Sequence, residues 1–107
     1  MRINLAGVNV PITNDQRAYA EYRFFTSIAP HDMSIRAVDV VIRRDSAAHH
    51  SFLCRVVVNL GSSGRIKTQA RAAHPSAAID RAADRAAWLV RRRAGQDFSL
   101  KAPVFSS

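Results

Sequence analysis

Arg81, Arg85, Trp88 and Arg92 recur at steps of four, three and four residues near the C-terminus. At 100° per residue that spacing places them on one side of an α-helix. Ile79, Ala82, Ala83, Ala86, Leu89 and Val90 fall on the other side, which must dock on something. The chemistry open to such a stripe is recognition of a polyanion. Guanidinium groups pair with phosphate oxygens through parallel N–H bonds, and an indole offers a flat surface to an unpaired base or ribose. Arg91 and Arg93 enlarge the cationic end, and a run of three arginines in a last helical turn would meet the negative pole of the helix dipole. The ordinary reading of one such helix is a solvated charged face, so its weight depends on the rest of the chain.

Sixteen Lys and Arg against eight Asp and Glu leave a net charge of +8 on 107 residues. That balance favours a polyanionic partner, nucleic acid or an anionic surface. The length suits one domain with a real core, and the 48% hydrophobic content argues against wholesale disorder. No apolar run approaches the roughly 18–20 residues of a membrane span, and Met1–Leu5 lacks the apolar core of a signal peptide. A single cysteine, Cys54, excludes an internal disulfide and the Cys-based zinc patterns; alternating with core residues, it reads as a buried, inert thiol. His49-His50 has no third ligand at a plausible spacing and reads as a polar loop pair. There is no Gly-rich phosphate loop, no HExxH and no Gly-x-Ser-x-Gly. Asp80 and Asp84, one turn apart, read as solvated partners of the flanking arginines. The expectation is a cytoplasmic protein that is not an enzyme, with no catalytic residues, cofactor, metal, small-molecule substrate or membrane insertion.

The elements that must position the stripe follow from periodicity. Met1 to Val10 alternates and reads as a strand, with Gly7 marking a bend or bulge. Thr13-Asn14-Asp15-Gln16 fits a capping box, and a helix follows to about Ala29, stopped before Pro30. Its core stripe is Ala20, Phe24 and Ile28 with Tyr19 beside it, and Arg17 and Glu21 form a surface pair. Ile35–Arg44 is a second strand with Val38, Val40 and Ile42 inward, and Asp45-Ser46-Ala47-Ala48 is a turn. Phe52, Cys54, Val56, Val58 and Leu60 give the inward face of a third strand, and Gly61-Ser62-Ser63-Gly64 is a hairpin signal. Arg65–Ala72 is a fourth strand, after which Pro75 opens the last helix. The order β-α-β-β-β-α predicts an α+β fold. Its four-stranded mixed sheet has strands one and two parallel through a right-handed crossover, and two helices on one face. Residues 1–94 form the domain, and 95–107, lacking any period, a flexible tail.

The pattern resembles the ribosome hibernation-promoting factor and ribosome-associated inhibitor family over about residues 1–93. The resemblance is carried by Met1-Arg2-Ile3-Asn4-Leu5-Ala6-Gly7 with Thr13, by Val38-Asp39-Val40-Val41-Ile42, by the Gly61–Gly64 hairpin, and by Ala77-Ala78-Ile79-Asp80 leading into a basic helix. It implies a domain similar to a double-stranded-RNA-binding domain with an extra strand. It also implies a seat in the channel of the small ribosomal subunit, over the messenger and transfer RNA sites. There, 16S rRNA contacts would silence translation by occupancy in resting bacteria. Short members of that family help pair ribosomes into inactive dimers, long ones add a dimerisation domain, and this chain resembles a short one. Arg85 stands where the family usually has lysine and Arg92 at another usual basic position. Trp88 replaces a common arginine, Leu89 a common glutamine, and His74 an acidic cap. The first helix is poorer in lysine than typical members, with Arg17 and Arg23 its only cations, and Tyr22-Arg23-Phe24-Phe25 is unusually aromatic.

The expected RNA-binding set is Arg81, Arg85, Trp88, Arg91, Arg92 and Arg93 on the last helix, Lys67 and Arg71 on the fourth strand, and Arg23 on the first helix. Arg43, Arg55 and Arg65 join Lys67 and Arg71 on the bare sheet face as a second basic surface. Trp88 has three readings: a stacking platform, a cap over the tail, or a contact for weak self-association. Two other functions remain open, a general RNA- or DNA-binding module without ribosome specificity, and a regulatory protein-interaction domain using Trp88 and the Tyr22–Phe25 aromatics.

Overall fold

Strand β1 (Arg2–Val8), helix α1 (Asn14–Ile28), strands β2 (Ala37–Arg44), β3 (Phe52–Asn59) and β4 (Arg65–Ala72), and helix α2 (Pro75–Lys101) follow one another in a computed structural model. The structure describes residues 1–31, 35–45 and 51–101. The sheet order is β1-β2-β3-β4. β1 runs parallel to β2, and the other neighbours are antiparallel. The α+β architecture is the one the periodicity predicts.

Alternation decides which side of the sheet is covered. The cross-strand rows Ile3–Val38–Val58–Ile66, Leu5–Val40–Val56–Thr68 and Gly7–Ile42–Cys54–Ala70 face the helices. Ala20, Phe24 and Ile28 of α1 and Ala78, Ile79, Ala82, Ala83, Ala86 and Val90 of α2 meet them, all fully buried. The alanines are informative: four on one stripe let α2 lie close to the sheet and to α1 while its long side chains stay outside the core. Burial pushes the Cys54 thiol up to about 12, so it is neutral at physiological pH. Among the described residues no helix is long and apolar enough to cross a membrane.

The local signals are met with three corrections. The capping box is complete: Thr13 Oγ1 accepts from the Gln16 N–H and Gln16 Oε1 accepts from the Thr13 N–H, each at 3.0 Å. The hairpin closes through a 3-10 turn at Gly61–Ser63 with the Leu60 N–H donating to the Gly64 carbonyl at 2.8 Å. Gly61 and Gly64 take φ of 65° and 94°, which disfavour any side chain. Gly7, however, is neither bend nor bulge. The parallel register continues through Gly7↔Ile42 and Val8↔Arg43, and the absent side chain makes room for the returning chain, because a Cβ there would lie 2.2 Å from the Val10 carbonyl oxygen.

The second correction concerns Arg17, whose Nη1 donates to the Leu5 carbonyl at 2.7 Å and so reaches β1 rather than a partner on its own helix. The third is the end of α2. Residues 95–101, expected as tail, are helical. One glycine costs a helix only about 1 kcal/mol, and Gln96, Leu100 and Lys101 beyond Gly95 are good helix formers. Arg91–Arg93 therefore sit two turns inside the helix, beyond the reach of its terminal dipole. The expected turn at 45–48 beyond Asp45, His49-His50 and residues 102–107 lie outside the described residues.

Candidate nucleic-acid interface

The cations of α2 are organised by the open edge of β4. In an antiparallel pair, alternate residues turn their N–H and C=O groups away from the partner strand, and an edge strand leaves those groups bare. Helix α2 starts just past the end of β4 and returns alongside it. Four residues of helix rise about 6 Å, close to the rise of two strand residues. Arginines four apart on α2 thus come level with carbonyls two apart on β4. Arg81 Nη1 donates to the Arg71 carbonyl at 2.9 Å, and Arg85 Nη1 donates to the Gln69 carbonyl at 2.5 Å. Further along, Arg93 Nη1 donates to the Ser63 carbonyl at 2.8 Å in the hairpin.

Each of these guanidiniums uses one nitrogen on the backbone and keeps most of its five N–H donors for something else. Arg81 and Arg85 remain exposed, and Arg93 is half-buried. At the next four-residue step stands Leu89, which donates nothing. A shallow notch opens there, lined by Arg81, Asp84, Arg85, Trp88 and Leu89. Trp88 is 48% exposed at its rim, and the Arg92 guanidinium lies 5.1 Å from its ring centroid, a cation–π contact. Arg91 and Arg92 are exposed. The row can present a flat aromatic surface with a cation over it and two tethered guanidiniums beside it. Those are the parts that hold an unpaired base and its flanking phosphates.

The other expected contacts divide. Lys67 is exposed on the open sheet face. Arg71 is exposed on the same face, but its Nε donates to Asp45. Arg23 is elsewhere altogether, clamping α1 to α2. Its Nε donates to Asp80 Oδ1 at 2.9 Å, Nη2 to Asp84 Oδ1 at 3.0 Å and Nη1 to Ser27 Oγ at 2.7 Å. Its side chain is 24% exposed. The bond to Asp80 leads in raising the Arg23 pKa further above its ordinary value, partial burial opposing.

Asp80 and Asp84 thus pair across the helices, and the arginines beside them in sequence turn the other way, to β4. The Tyr19 hydroxyl completes the cluster by donating to Asp80. That bond is the main cause of the raised tyrosine pKa. Partial burial pushes the Asp80 carboxyl up, but the bonds from Tyr19 and Arg23 and the Arg23 charge outweigh it and hold the group below the usual carboxylate range. Neither the edge caps nor this clamp is visible in the sequence, since both depend on which elements lie side by side.

The open sheet face carries Arg43, Arg55, Arg65, Lys67 and Arg71, all exposed. Among the described residues no group of three or more His, Cys, Asp and Glu could hold a metal ion.

Known proteins match this chain in sequence family and in fold. The N-terminal domain of Protein Y from Thermus thermophilus superposes with a TM-score of 0.73 at 29% identity, covering 86% of this chain and 98% of that one. A ribosomal subunit interface protein from Coxiella burnetii superposes with a TM-score of 0.75 at 17% identity, covering 86% and 96%, and shares the fold. No curated protein sequence matches significantly. The family model for sigma 54 modulation protein / S30EA ribosomal protein matches residues 3–96, and the chain belongs to that family.

Proposed function

We propose that this protein is a cytoplasmic ribosome-associated factor. In this reading it occupies the messenger and transfer RNA channel of the small subunit through 16S rRNA contacts and silences translation without chemistry. The observation that carries it is the tethered row Arg81–Arg85–Trp88–Arg92 on a chain of this family with a net charge of +8. Phosphates would take the free N–H groups of Arg81, Arg85 and Arg92, an unpaired base the exposed indole, and Arg91, Arg93, Lys67 and Arg71 the flanking backbone.

Binding of this kind is steeply salt-dependent. About four to six phosphate contacts give a slope of log affinity against log salt near −3 to −5. Sedimentation with purified ribosomes and isolated small subunits at two salt concentrations tests the reading. The protein should travel with the small subunit at low salt, leave it at high salt, and inhibit translation of a reporter messenger. A slope near −1 would remove RNA as the main partner, and equal spreading over free RNA would leave a general RNA-binding module.

A further inference from the structure

We infer that the open face of the sheet is a separate binding track for a short single-stranded stretch of RNA, about three nucleotides long. The inference rests on the strand register and not on the α2 row. The register places Arg43 of β2 diagonally beside Arg55 of β3, since Arg43↔Leu53 and Val41↔Arg55 are partners. It places Arg55 diagonally beside Lys67 of β4, since Arg55↔Gln69 and Val57↔Lys67 are partners. Three cations therefore cross three strands in one line.

Diagonal neighbours on one face stand roughly 7–8 Å apart, a step that long side chains adjust easily to successive phosphates of an extended strand. All three cations are exposed, and among the described residues none of them is in an ion pair. Like charges so arranged repel one another and gain from an anion that bridges them.

A second diagonal runs alongside. Val8 of β1, Val41 of β2 and Val57 of β3 follow through Val8↔Arg43, Ala6↔Val41 and Asp39↔Val57. Val8 is exposed and Val41 and Val57 are half-buried. With the cations, the valines line an open basin of about 520 Å³. On the far side of the valines stands Asp39, one of whose oxygens accepts from Asn4 Nδ2 at 2.8 Å.

Phosphates on the cation line would set sugars and bases across the valine line, with base N–H groups arriving at the Asp39 carboxylate. That carboxylate also stands diagonally beside Arg55, since Val41↔Arg55 and Asp39↔Val57 are partners, and the bond from Asn4 ties one of its oxygens to β1. The floor has no aromatic ring, so it gives apolar contact without stacking. The track is weaker and less base-selective than sheets that stack bases on aromatics.

Fluorescence anisotropy with labelled hexauridylate RNA tests this on the full chain. Wild type should bind at 50 mM salt and lose about 20-fold in affinity by 200 mM, as three phosphates on a single strand give a slope near −2. The Arg43→Ala/Arg55→Ala/Lys67→Ala variant should lose at least tenfold at 50 mM salt and about 2 from the slope, with unchanged melting because all three side chains are exposed. Arg85→Glu/Arg92→Glu on α2 should instead keep that part of the binding. Arg55→Glu alone should lose binding in the same way. Wild type that does not bind hexauridylate at 50 mM salt overturns the track. So does a folded triple variant with wild-type affinity and slope. The α2 reading is scored separately by ribosome sedimentation, so either surface can fail while the other stands.

Discussion

Arg23→Met removes the guanidinium that joins α1 to α2 while keeping an unbranched stem in the same place. Four bonds from charged nitrogens are lost: three at 2.7–3.0 Å to the Asp80, Asp84 and Ser27 side chains, and a longer one of 3.4 Å to the Asp80 carbonyl. Hydrogen bonds to charged groups contribute about 1.5–3 kcal/mol each where they are shielded. Here the partner carboxylates are 40% and 73% exposed, so the Asp84 pair is close to a surface ion pair and only the Asp80 pair is partly protected. The arginine also regains rotamer freedom when released. The net loss should be about 1–2 kcal/mol, which for a domain of this size lowers the melting temperature by roughly 5–15 °C. Thermal melting followed by circular dichroism at neutral pH reads it, with ribosome sedimentation below the melting range as the second channel. Stability should fall while affinity per folded molecule holds. A melting temperature within about 1 °C of wild type, together with lost sedimentation, would refute the clamp and return Arg23 to the RNA surface where sequence alone puts it.

Trp88→Ala should weaken ribosome binding about 5- to 150-fold, the equivalent of 1–3 kcal/mol of stacking, with the salt slope nearly unchanged because no phosphate contact goes. Unchanged affinity with normal stability and a monomeric wild type would make the indole idle. Arg85→Glu/Arg92→Glu should abolish sedimentation with ribosomes and lower the melting temperature by less than about 8 °C, since one exposed backbone bond is lost with Arg85. Loss of cooperative unfolding would show that the edge cap carries far more of the fold. Asp80 is held below its unfolded value near 3.9, so its contribution to stability is present above that pH and disappears as pH falls through the lower folded value. Asp80→Asn should lose stability at pH 6 and show a flatter decline toward pH 2.5 than wild type; parallel declines would contradict the assignment.

What could be read from the sequence was what local physics determines. Asp39 and Arg55 mark the outward side of Val38–Ile42 and Cys54–Val58, although Val41 and Val57 share it, and Thr13 with Gln16 specifies a helix start by itself. The stripe on α2 was legible for the same reason, because a helix carries its own geometry. Partners across elements were not. Arg23 and Asp80 are 57 residues apart, and nothing nearer in sequence says that they meet. A glycine in a strand usually marks a bend or bulge, but what Gly7 makes room for is the carbonyl of Val10, three residues on. The apolar series of α2 stops at Val90, which hides the helix's true length, because ending the docked face does not end the helix.

The edge of β4 explains why arginine, rather than lysine, suits this face. A lysine ammonium bonded to a backbone carbonyl has one compact head to share, whereas a guanidinium bound through one nitrogen still presents the rest of its fork to a phosphate. Holding Arg81 and Arg85 to the Arg71 and Gln69 carbonyls also reduces the rotamer freedom that a long side chain would otherwise lose when it binds. The same two bonds cover carbonyls that an edge strand would offer to another chain. On the opposite edge Arg17 covers the Leu5 carbonyl of β1 in the same manner. Protection of the sheet and presentation of charge are thus one arrangement. It is broken at Leu89, and at that break the indole of Trp88 stands exposed beside cations already held in place.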